Sequence, residues 1–520
     1  MEKIKIYDTT LRDGMQAEGI SFSLDDKLLI AKHLSKLGFD YIEGGYASSN
    51  PKEMQFFLEA ANFNLSPAKI AGFGNTRRAD ATCQTDASLN AILACKTPVA
   101  TLVGKCWDLH VTEVLRCSLE ENITICAESV EYMKSKGLEV IFDAEHFFDG
   151  FKRNPEYVLK VIAAVIDAKA DTIALCETNG GCLPNEVYEI TKAVKQKFGK
   201  VSLGIHCHND TDCAVANSLA AVQAGARQVQ GTINGMGERC GNANLCTIIP
   251  NLALKMGFEV LGADKIKMLT ETSRFLFEIA NLPAVTNMPY VGESAFAHKG
   301  GLHVDALRKN KKTYEHIDPA VVGNERRFLI SELSGKANIL AKLEKANIAQ
   351  DKQLAQKILN EVQELENKGY QFEAAEASFE LLVKKIMGTY KPFFKLEKFH
   401  VTVEKNFAGK MVSQATIKLI VNNQSEHTVS EGDGPVDALY SAMCKSLERF
   451  YPKIREMHLI DYKVRIVNPA AATAAITRVI IETRDKDAIW GTVGVSENII
   501  EASWQALVDS VEYKLIKDGK

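Results

Sequence analysis

Residues 4–14, which read IKIYDTTLRDG, decide the fold. The alternation in the first half of this stretch is typical of a β-strand, and the second half is a polar turn. A short β-rich run followed by an amphipathic helix then recurs until about residue 249. The eight runs lie at residues 4–7, 41–44, 69–73, 99–103, 139–142, 172–176, 201–206 and 228–233. Eight strand–helix units in about 250 residues predict an α/β chain with a (β/α)8 TIM barrel, and a doubly wound sheet is the alternative.

The alternation stops after Pro250, and residues from about 257 to 380 have a mostly helical pattern. Strand patterns return from about residue 393, at 398–404 and 413–421, before a helix at 437–450. A second set of strand patterns precedes a closing helix, at residues 460–467, 477–483, 488–496 and 499–516. Strands followed by a helix, twice over, predict a small α+β domain with an internal duplication, as in a sensor or dimerisation module.

The sequence therefore predicts three domains. These are a catalytic barrel at 1–256, a helical linker at 257–390 that contributes to the active site, and a regulatory domain at 391–520. A chain of 520 residues is too long for one core, which agrees with several domains.

Composition excludes several classes of protein. The hydrophobic content of 46% and charged content of 25% are ordinary for a soluble globular protein. The net charge of -4 gives no general attraction to nucleic acid or anionic membrane. There is no apolar run of about 18 residues for a transmembrane helix, and the first residues lack the apolar segment of a signal peptide. We expect a cytoplasmic protein whose 12 scattered cysteines are reduced.

Asp13, His206 and His208 are the candidate metal ligands. Asp13 follows the first strand pattern, and the two histidines stand two apart at the end of the seventh, so their side chains point the same way. Strands one and seven both flank strand eight in a barrel, so these side chains converge on the carboxyl-terminal rim that carries barrel active sites. Two imidazoles and a carboxylate suit Zn, Mn, Co or Fe, and Mg with added oxygen donors. The alternative is a pair of hydrogen-bonded rim histidines.

Further candidates follow other strand patterns. Arg12 adjoins Asp13, where a guanidinium can polarise the carbonyl of a 2-keto acid, or can form a structural salt bridge. Thr178 follows strand six and could bind a substrate carboxylate, and Glu145 follows strand five and could take a proton from a thioester methyl. Both could instead support other site residues. Asn242, in a glycine-rich loop after strand eight, could add an oxygen ligand to the metal.

The predicted linker carries two more features. His303 ends the stretch HKGGLH and is a candidate proton-transfer group above the barrel mouth. The basic stretch RKNKK at residues 308–312 is either a solvated face or a contact for the phosphates of a large cofactor such as coenzyme A.

Taken together, these motifs resemble the 2-isopropylmalate, homocitrate and citramalate synthases. The resemblance rests on DTTLRDG at 8–14, HCHND at 206–210, GERCGN at 237–242 and AHKGGLH at 297–303. The GDGPVDA turn at 432–438 resembles their regulatory domain. Within the family, the stretches 41–45, 105–113 and 143–150 are similar to the citramalate synthase branch.

The resemblance implies an acyltransferase that condenses acetyl-CoA with pyruvate and releases (R)-citramalate and coenzyme A, which starts a threonine-independent isoleucine route. It implies a divalent metal (Mg, Mn or Zn) bound by Asp13, His206, His208 and Asn242. It places Arg12 at the pyruvate carbonyl, Thr178 at its carboxylate and Glu145 as the base. His303 and Tyr314 would act from the linker of a homodimer. The regulatory domain would bind isoleucine as a feedback inhibitor.

Departures from the family pattern concern the keto acid. Residues 15–18, MQAE, differ from the leucine-pathway enzymes, and Asp143-Ala144-Glu145-His146 lacks the serine of the homocitrate and isopropylmalate branches. Both differences argue against a larger keto acid. The alternatives are a 2-isopropylmalate synthase acting on 2-oxoisovalerate, a homocitrate synthase, a carbon–carbon lyase or aldolase on the same barrel, and a metal-dependent amino-acid sensor without catalysis.

Overall fold

Eight parallel strands close into a barrel in chain order in this computed structural model, which confirms the predicted fold class. The strands β1 to β8 are Lys5–Asp8, Tyr41–Tyr46, Lys69–Asn75, Val99–Lys105, Glu139–Glu145, Thr172–Glu177, Leu203–Cys207 and Gln228–Gly231. The structure describes residues 2–330, 336–345, 351–405, 407, 409–468 and 475–519. These residues form two compact units, Met1–Phe296 with Ile317–Glu325, and Ala297–His316 with Arg326–Lys520. The predicted boundaries near 256 and 390 stay a prediction.

Helices cover the barrel strands, so the strands are buried along most of their length. The α-helices of seven or more residues in this unit are Leu24–Leu37, Pro51–Ala60, Ala87–Ala94, Leu119–Ser135, Phe147–Arg153, Pro155–Asp167, Pro184–Phe198, Ala214–Gln223 and Leu269–Ile279. The first begins at a capping box in which Ser23 and Asp26 satisfy each other's backbone N–H groups. It ends at Gly38, whose φ of 93° suits glycine.

The end of β1 leaves Asp13 just past the strand, as expected, whereas the end of β7 corrects the placement of His208. β1 ends at Asp8, and the five residues of a turn separate it from Gly14, so Asp13 lies on a loop. β7 ends at Cys207, so His208 lies just beyond the strand and forms an isolated antiparallel bridge with Asn242. The physical reason is that the loop after β8 pairs with the end of β7: the N–H of Asn209 donates to Gly241, although the N–H of His208 still donates to Glu177 on β6.

The second unit contains the predicted duplication. β11 to β13 form one antiparallel sheet and β14 to β16 another, at Phe394–Lys405, Met411–Val421, Gln424–Gly432, His458–Ile466, Thr477–Arg484 and Ile489–Ser496. Helix Pro435–Leu447 packs on the first sheet and helix Ile499–Lys517 on the second. The short strands β9 and β10, Ala297–His298 and Arg327–Phe328, pair in parallel. The remaining α-helices described in this unit are Gly301–Lys309, Lys336–Lys345, Lys352–Asn367 and Glu376–Ile386.

The sequence analysis missed strand β13, because its charged and polar residues hide the alternation. β13 pairs with β12 from Gln424 to Gly432, after a turn in which Asn422 and Asn423 both have positive φ. Each repeat is therefore three strands and a helix, so the two halves match better than the sequence indicated. Among the residues described, no helix combines the length and apolarity that crossing a bilayer would require.

Candidate metal and keto-acid site

Asp13, His206 and His208 meet at the carboxyl-terminal end of the barrel. The Nε2 atoms of His206 and His208 lie 3.5 and 3.9 Å from Oδ2 of Asp13. The two Nε2 atoms are 3.3 Å apart. All three side chains are buried, and together they are a donor set that could hold a divalent metal ion.

Asn242 adjoins this cluster, and buried polar atoms at this place suit the binding of a cation. Its Nδ2 donates to Oδ1 of Asp13 at 2.9 Å. Oδ1 of Asn242 is buried without a hydrogen-bond partner among the described residues, and so is Nδ1 of His208. Two imidazole nitrogens that face each other at 3.3 Å beside a carboxylate are compatible when a cation or a proton lies between them. The residues therefore fit a divalent metal, with Oδ1 of Asn242 as a further oxygen donor.

The electrostatics favour the ligand forms of Asp13 and His208. Burial raises the pKa of Asp13, but the charge of Arg12 and the contact with His206 outweigh it and hold that pKa well below its usual value. Burial and repulsion from His206 lower the pKa of His208 to about 3, so its imidazole is neutral. Burial lowers the pKa of His206, but the hydrogen bond and charge of Asp13 raise it above the ordinary value.

Arg12 is fixed by two carboxylates. Its Nε donates to Oε2 of Glu43 at 2.6 Å, and its Nη1 donates to Oδ2 of Asp13 at 2.9 Å. Glu43 also accepts hydrogen bonds from Tyr7 and Thr9 and is fully buried. The guanidinium carbon lies 4.1 Å from the centre of the Phe73 ring. Arg12 is therefore a preorganised cation beside the Asp/His cluster rather than a mobile surface residue.

His206 is oriented by a buried amide. Nε2 of Gln230 donates to Oδ1 of Asp143 at 2.9 Å, and Oε1 of Gln230 lies 3.1 Å from Nδ1 of His206. With the amide nitrogen of Gln230 bonded to Asp143, Oε1 faces His206 and accepts a hydrogen bond from its Nδ1. This leaves the Nε2 lone pair of His206 free for a metal.

Glu145 and Thr178 lie on the same rim. The carboxylate of Glu145 pairs with Nζ of Lys105. Oγ1 of Thr178 accepts a hydrogen bond from the backbone N–H of His146 at 2.9 Å, so its own hydroxyl proton is free to donate. A cavity of about 470 Å³ is lined by Arg12, Asp13, Glu145, Thr178, His206 and His208, among others. One cavity therefore holds six of the predicted site residues.

His303 and Tyr314 lie in the second unit. Their rings stack, with centroids 4.0 Å apart and planes at 23°, and about half of Tyr314 is exposed. The stacked pair is accessible to a ligand or to another chain. The predicted roles of His303 and Tyr314 stay predictions.

Sequence reasoning missed Glu43, Gln230, Asp143 and Lys105 as parts of the site. All four lie in barrel strands, and the predicted strands include Glu43 and Gln230 but end before Asp143 and Lys105. A charged or amide side chain in a strand with apolar neighbours was the available signal, since such a group needs a partner when it is buried. Which partners they have depends on distances across the barrel that no local pattern encodes.

Three family descriptions match consecutive parts of the chain. The HMGL-like family matches residues 3–276, the homocitrate synthase post-HMGL domain matches 290–370, and the LeuA allosteric (dimerisation) domain matches 373–515. Thus the match to HMGL-like proteins covers more than half of the chain.

Curated relatives match the chain from end to end. The (R)-citramalate synthases of Aquifex aeolicus and Geobacter sulfurreducens are each 54% identical, over 99% of this chain and 98% of theirs. A probable 2-isopropylmalate synthase of Methanopyrus kandleri is 32% identical, over 98% of both chains. The higher identity to the first two agrees with the branch that the sequence motifs indicated. The chain belongs to the family of 2-isopropylmalate, homocitrate and citramalate synthases, in its (R)-citramalate synthase branch.

Proposed function

We propose that the protein is an (R)-citramalate synthase, an acyltransferase that condenses acetyl-CoA with pyruvate and hydrolyses the resulting thioester to (R)-citramalate and coenzyme A. The observation that carries the proposal is the placement of Asp13, His206 and His208 beside Arg12 in a cavity that also holds Glu145 and Thr178. The full-length identity of 54% to (R)-citramalate synthases supports pyruvate as the keto acid.

Asp13, His206, His208 and Asn242 would hold a divalent cation, Mg, Mn or Zn. Such an ion supplies Lewis-acid activation of the keto group when it is bound. Mixed oxygen and imidazole donors suit each of these metals, so their identity needs measurement.

The remaining residues bind and orient the substrates. Arg12, anchored by Glu43, stabilises negative charge on the keto oxygen as it develops. The free hydroxyl proton of Thr178 hydrogen-bonds the pyruvate carboxylate. Glu145 removes a proton from the acetyl methyl group, and the resulting carbanion equivalent attacks the keto carbon. His303 and Tyr314 are proposed to assist proton transfer. Hydrolysis of the thioester makes the overall reaction effectively irreversible.

The second unit is proposed to regulate and dimerise the enzyme, with isoleucine as inhibitor. This domain matches the LeuA allosteric (dimerisation) family. Edge strand β14 leaves a row of apolar side chains exposed, at Ile460, Tyr462, Val464 and Ile466. An exposed apolar edge strand is a favourable surface for a second chain, so a second copy of this chain is the proposed occupant. Sedimentation of wild type and Val464→Lys would test this, with a dimer expected only for wild type.

The experiment that tests the activity is thiol release from acetyl-CoA with pyruvate, 2-oxoisovalerate and 2-oxoglutarate in parallel. We expect pyruvate to give the largest kcat/KM and (R)-citramalate as the product. A preference for 2-oxoisovalerate or 2-oxoglutarate would refute the citramalate assignment in favour of an isopropylmalate or homocitrate synthase. Adding isoleucine or leucine to the same assay tests the inhibitor, and dialysis against a chelator with metal add-back tests the cation.

A further inference from the structure

A second group of titratable side chains lies around Glu145, apart from the cluster of Asp13, His206 and His208. One nitrogen each of His110 and His146 and a carboxylate oxygen of Glu145 all lie within 4.8 Å of one another. The rings of His110 and His146 meet edge to face at 4.3 Å, and Trp107 packs 5.3 Å from each. None of these three aromatic residues has a part in the mechanism proposed above.

His146 is held in a fixed orientation. Its Nδ1 lies 3.0 Å from Oδ2 of Asp149, and Nδ2 of Asn179 donates to the same oxygen at 2.9 Å. His146 is 8% exposed, so its imidazole is nearly enclosed. Its backbone has a φ of 52°, a left-handed conformation that is costly for a residue with a β-carbon.

Asp149 contacts the His146 ring through its Nδ1. Burial raises the pKa of its carboxyl, but the hydrogen bonds from His146 and Asn179 outweigh this and hold the pKa below its ordinary value. Asp149 is therefore ionised at neutral pH. A carboxylate on Nδ1 fixes the tautomer of an imidazole and leaves the lone pair of the other nitrogen available to accept a proton.

We infer that His146, positioned by Asp149, takes the proton from Glu145 after each methyl deprotonation and so returns Glu145 to its carboxylate form. The inference rests on the proposed function, since it needs Glu145 to act as the base. His146 is a positioning residue in this scheme, because it acts on the substrate through Glu145. His110 and Trp107 pack against its ring and restrict its rotation.

The proton transfers balance as follows. The methyl C–H bond of acetyl-CoA breaks, its electron pair forms the new carbon–carbon bond, and the proton goes to Glu145. The carbonyl electron pair of the keto acid moves onto its oxygen, which takes a proton from water. The proton on Glu145 passes to His146, whose imidazolium gives it to water, so the condensation is neutral in protons. Glu145 is then ionised when thioester hydrolysis begins.

A second metal ion is the competing role for His110, Glu145 and His146. One feature counts against it. Nζ of Lys105 already pairs with the Glu145 carboxylate, and a divalent cation beside that ammonium would be repelled. The contact between Nδ1 of His146 and Asp149 fits either role, so the metal content of the variants has to separate them.

The test uses His146→Gln and His146→Ala in the full-length enzyme, with thiol release from acetyl-CoA and pyruvate as the assay. We expect kcat to fall about a hundredfold in both, with KM for pyruvate within about twofold of wild type. Free imidazole should restore the rate of His146→Ala, and a series of substituted imidazoles should restore it in order of their basicity. His33→Gln is the matched control, because His33 stacks on Phe275 away from this cluster.

Each outcome decides the inference. Unchanged kcat in His146→Gln overturns it, and so does a folded His146→Ala enzyme that imidazole does not rescue, since that shows a packing role only. Loss of one equivalent of bound metal per chain in His146→Gln overturns it in favour of a second metal site. A wild-type enzyme that releases no thiol with pyruvate instead refutes the proposed function, and the inference falls with it.

Discussion

Gln230 Oε1 lies 3.1 Å from Nδ1 of His206, deep inside the barrel. The amide is oriented by Asp143, which accepts a hydrogen bond from Nε2 of Gln230 at 2.9 Å. Burial and the charge of Glu43 raise the pKa of Asp143 to about 7. The properties of the Asp13, His206 and His208 cluster therefore depend on residues that do not belong to it. The hydrogen bond at Nδ1 of His206 sets which of its ring nitrogens carries the proton.

Gln230→Leu should weaken metal binding by about 10- to 100-fold, because His206 loses the acceptor that fixes its tautomer. The measurement is a metal titration monitored by calorimetry on chelator-treated protein. Gln228→Leu is the matched control, since Gln228 is buried on the same face of β8 and its amide atoms have no partner among the described residues. Equal losses in the two variants would contradict this orientation of His206.

Asp13→Ala and His206→Ala should bring thiol release close to assay background while the fold stays intact. Each removes one donor from a set of three that the geometry brings together. Circular dichroism checks the fold, and bound metal is counted in the same samples. Asp264→Ala and His33→Ala are controls outside the cavity and should keep wild-type rates. Wild-type activity in either site variant would refute the proposed metal site.

Arg12→Lys should lower kcat/KM by about 100- to 1000-fold, which is typical for loss of a group that stabilises charge in the transition state. Lysine keeps the charge but cannot contact Glu43 and Asp13 at once with the geometry of a guanidinium. Steady-state kinetics with pyruvate measure the loss. Arg77, which pairs with Glu128 and does not line this cavity, provides the control Arg77→Lys, for which we expect no change. A fully active Arg12→Lys enzyme would exclude a specific role for the guanidinium.

Glu512→Gln should remove part of the pH dependence of stability in the second unit. Burial raises the pKa of Glu512 in the folded state to about 7, against an ordinary value of 4.5. The folded state therefore binds more protons between these values, so this group stabilises the fold fully below about pH 4.5 and less as pH rises to 7. We expect the free energy of unfolding of Glu512→Gln to rise relative to that of wild type by up to about 3 kcal/mol between pH 5 and pH 8.

Chemical unfolding of a Trp107→Phe background measures this gain, because Trp490 and Trp504, the other two tryptophans, both lie in the second unit. Exposed Glu448, paired with Arg455, supplies the control Glu448→Gln, which should follow the parent at both pH values. A constant difference between Glu512→Gln and its parent across this range would show that Glu512 is ionised throughout.

The barrel could be predicted because its strands are buried and separated by helices, which leaves a strong periodic signal along the chain. All eight predicted strands are present, most with ends shifted by one to three residues. Strand β13 could not be predicted from its residues. A sheet with one exposed face needs only a weak alternation of apolar and polar side chains, and the polar residues of β13 show no such alternation. Strand ends are set by pairing with neighbours, which explains why His208 falls just outside β7.

The sequence by itself determined the barrel, the duplicated domain and the residues expected at the rim, since these follow from periodicity, spacing and motifs. Only the tertiary structure decided that Glu43 anchors Arg12 and that Gln230 orients His206. Each of these pairs joins different strands or loops, and a hydrogen bond depends on distances of a few tenths of an ångström across the closed barrel. Closure of the barrel brings those atoms together, and local sequence carries no record of the resulting partners.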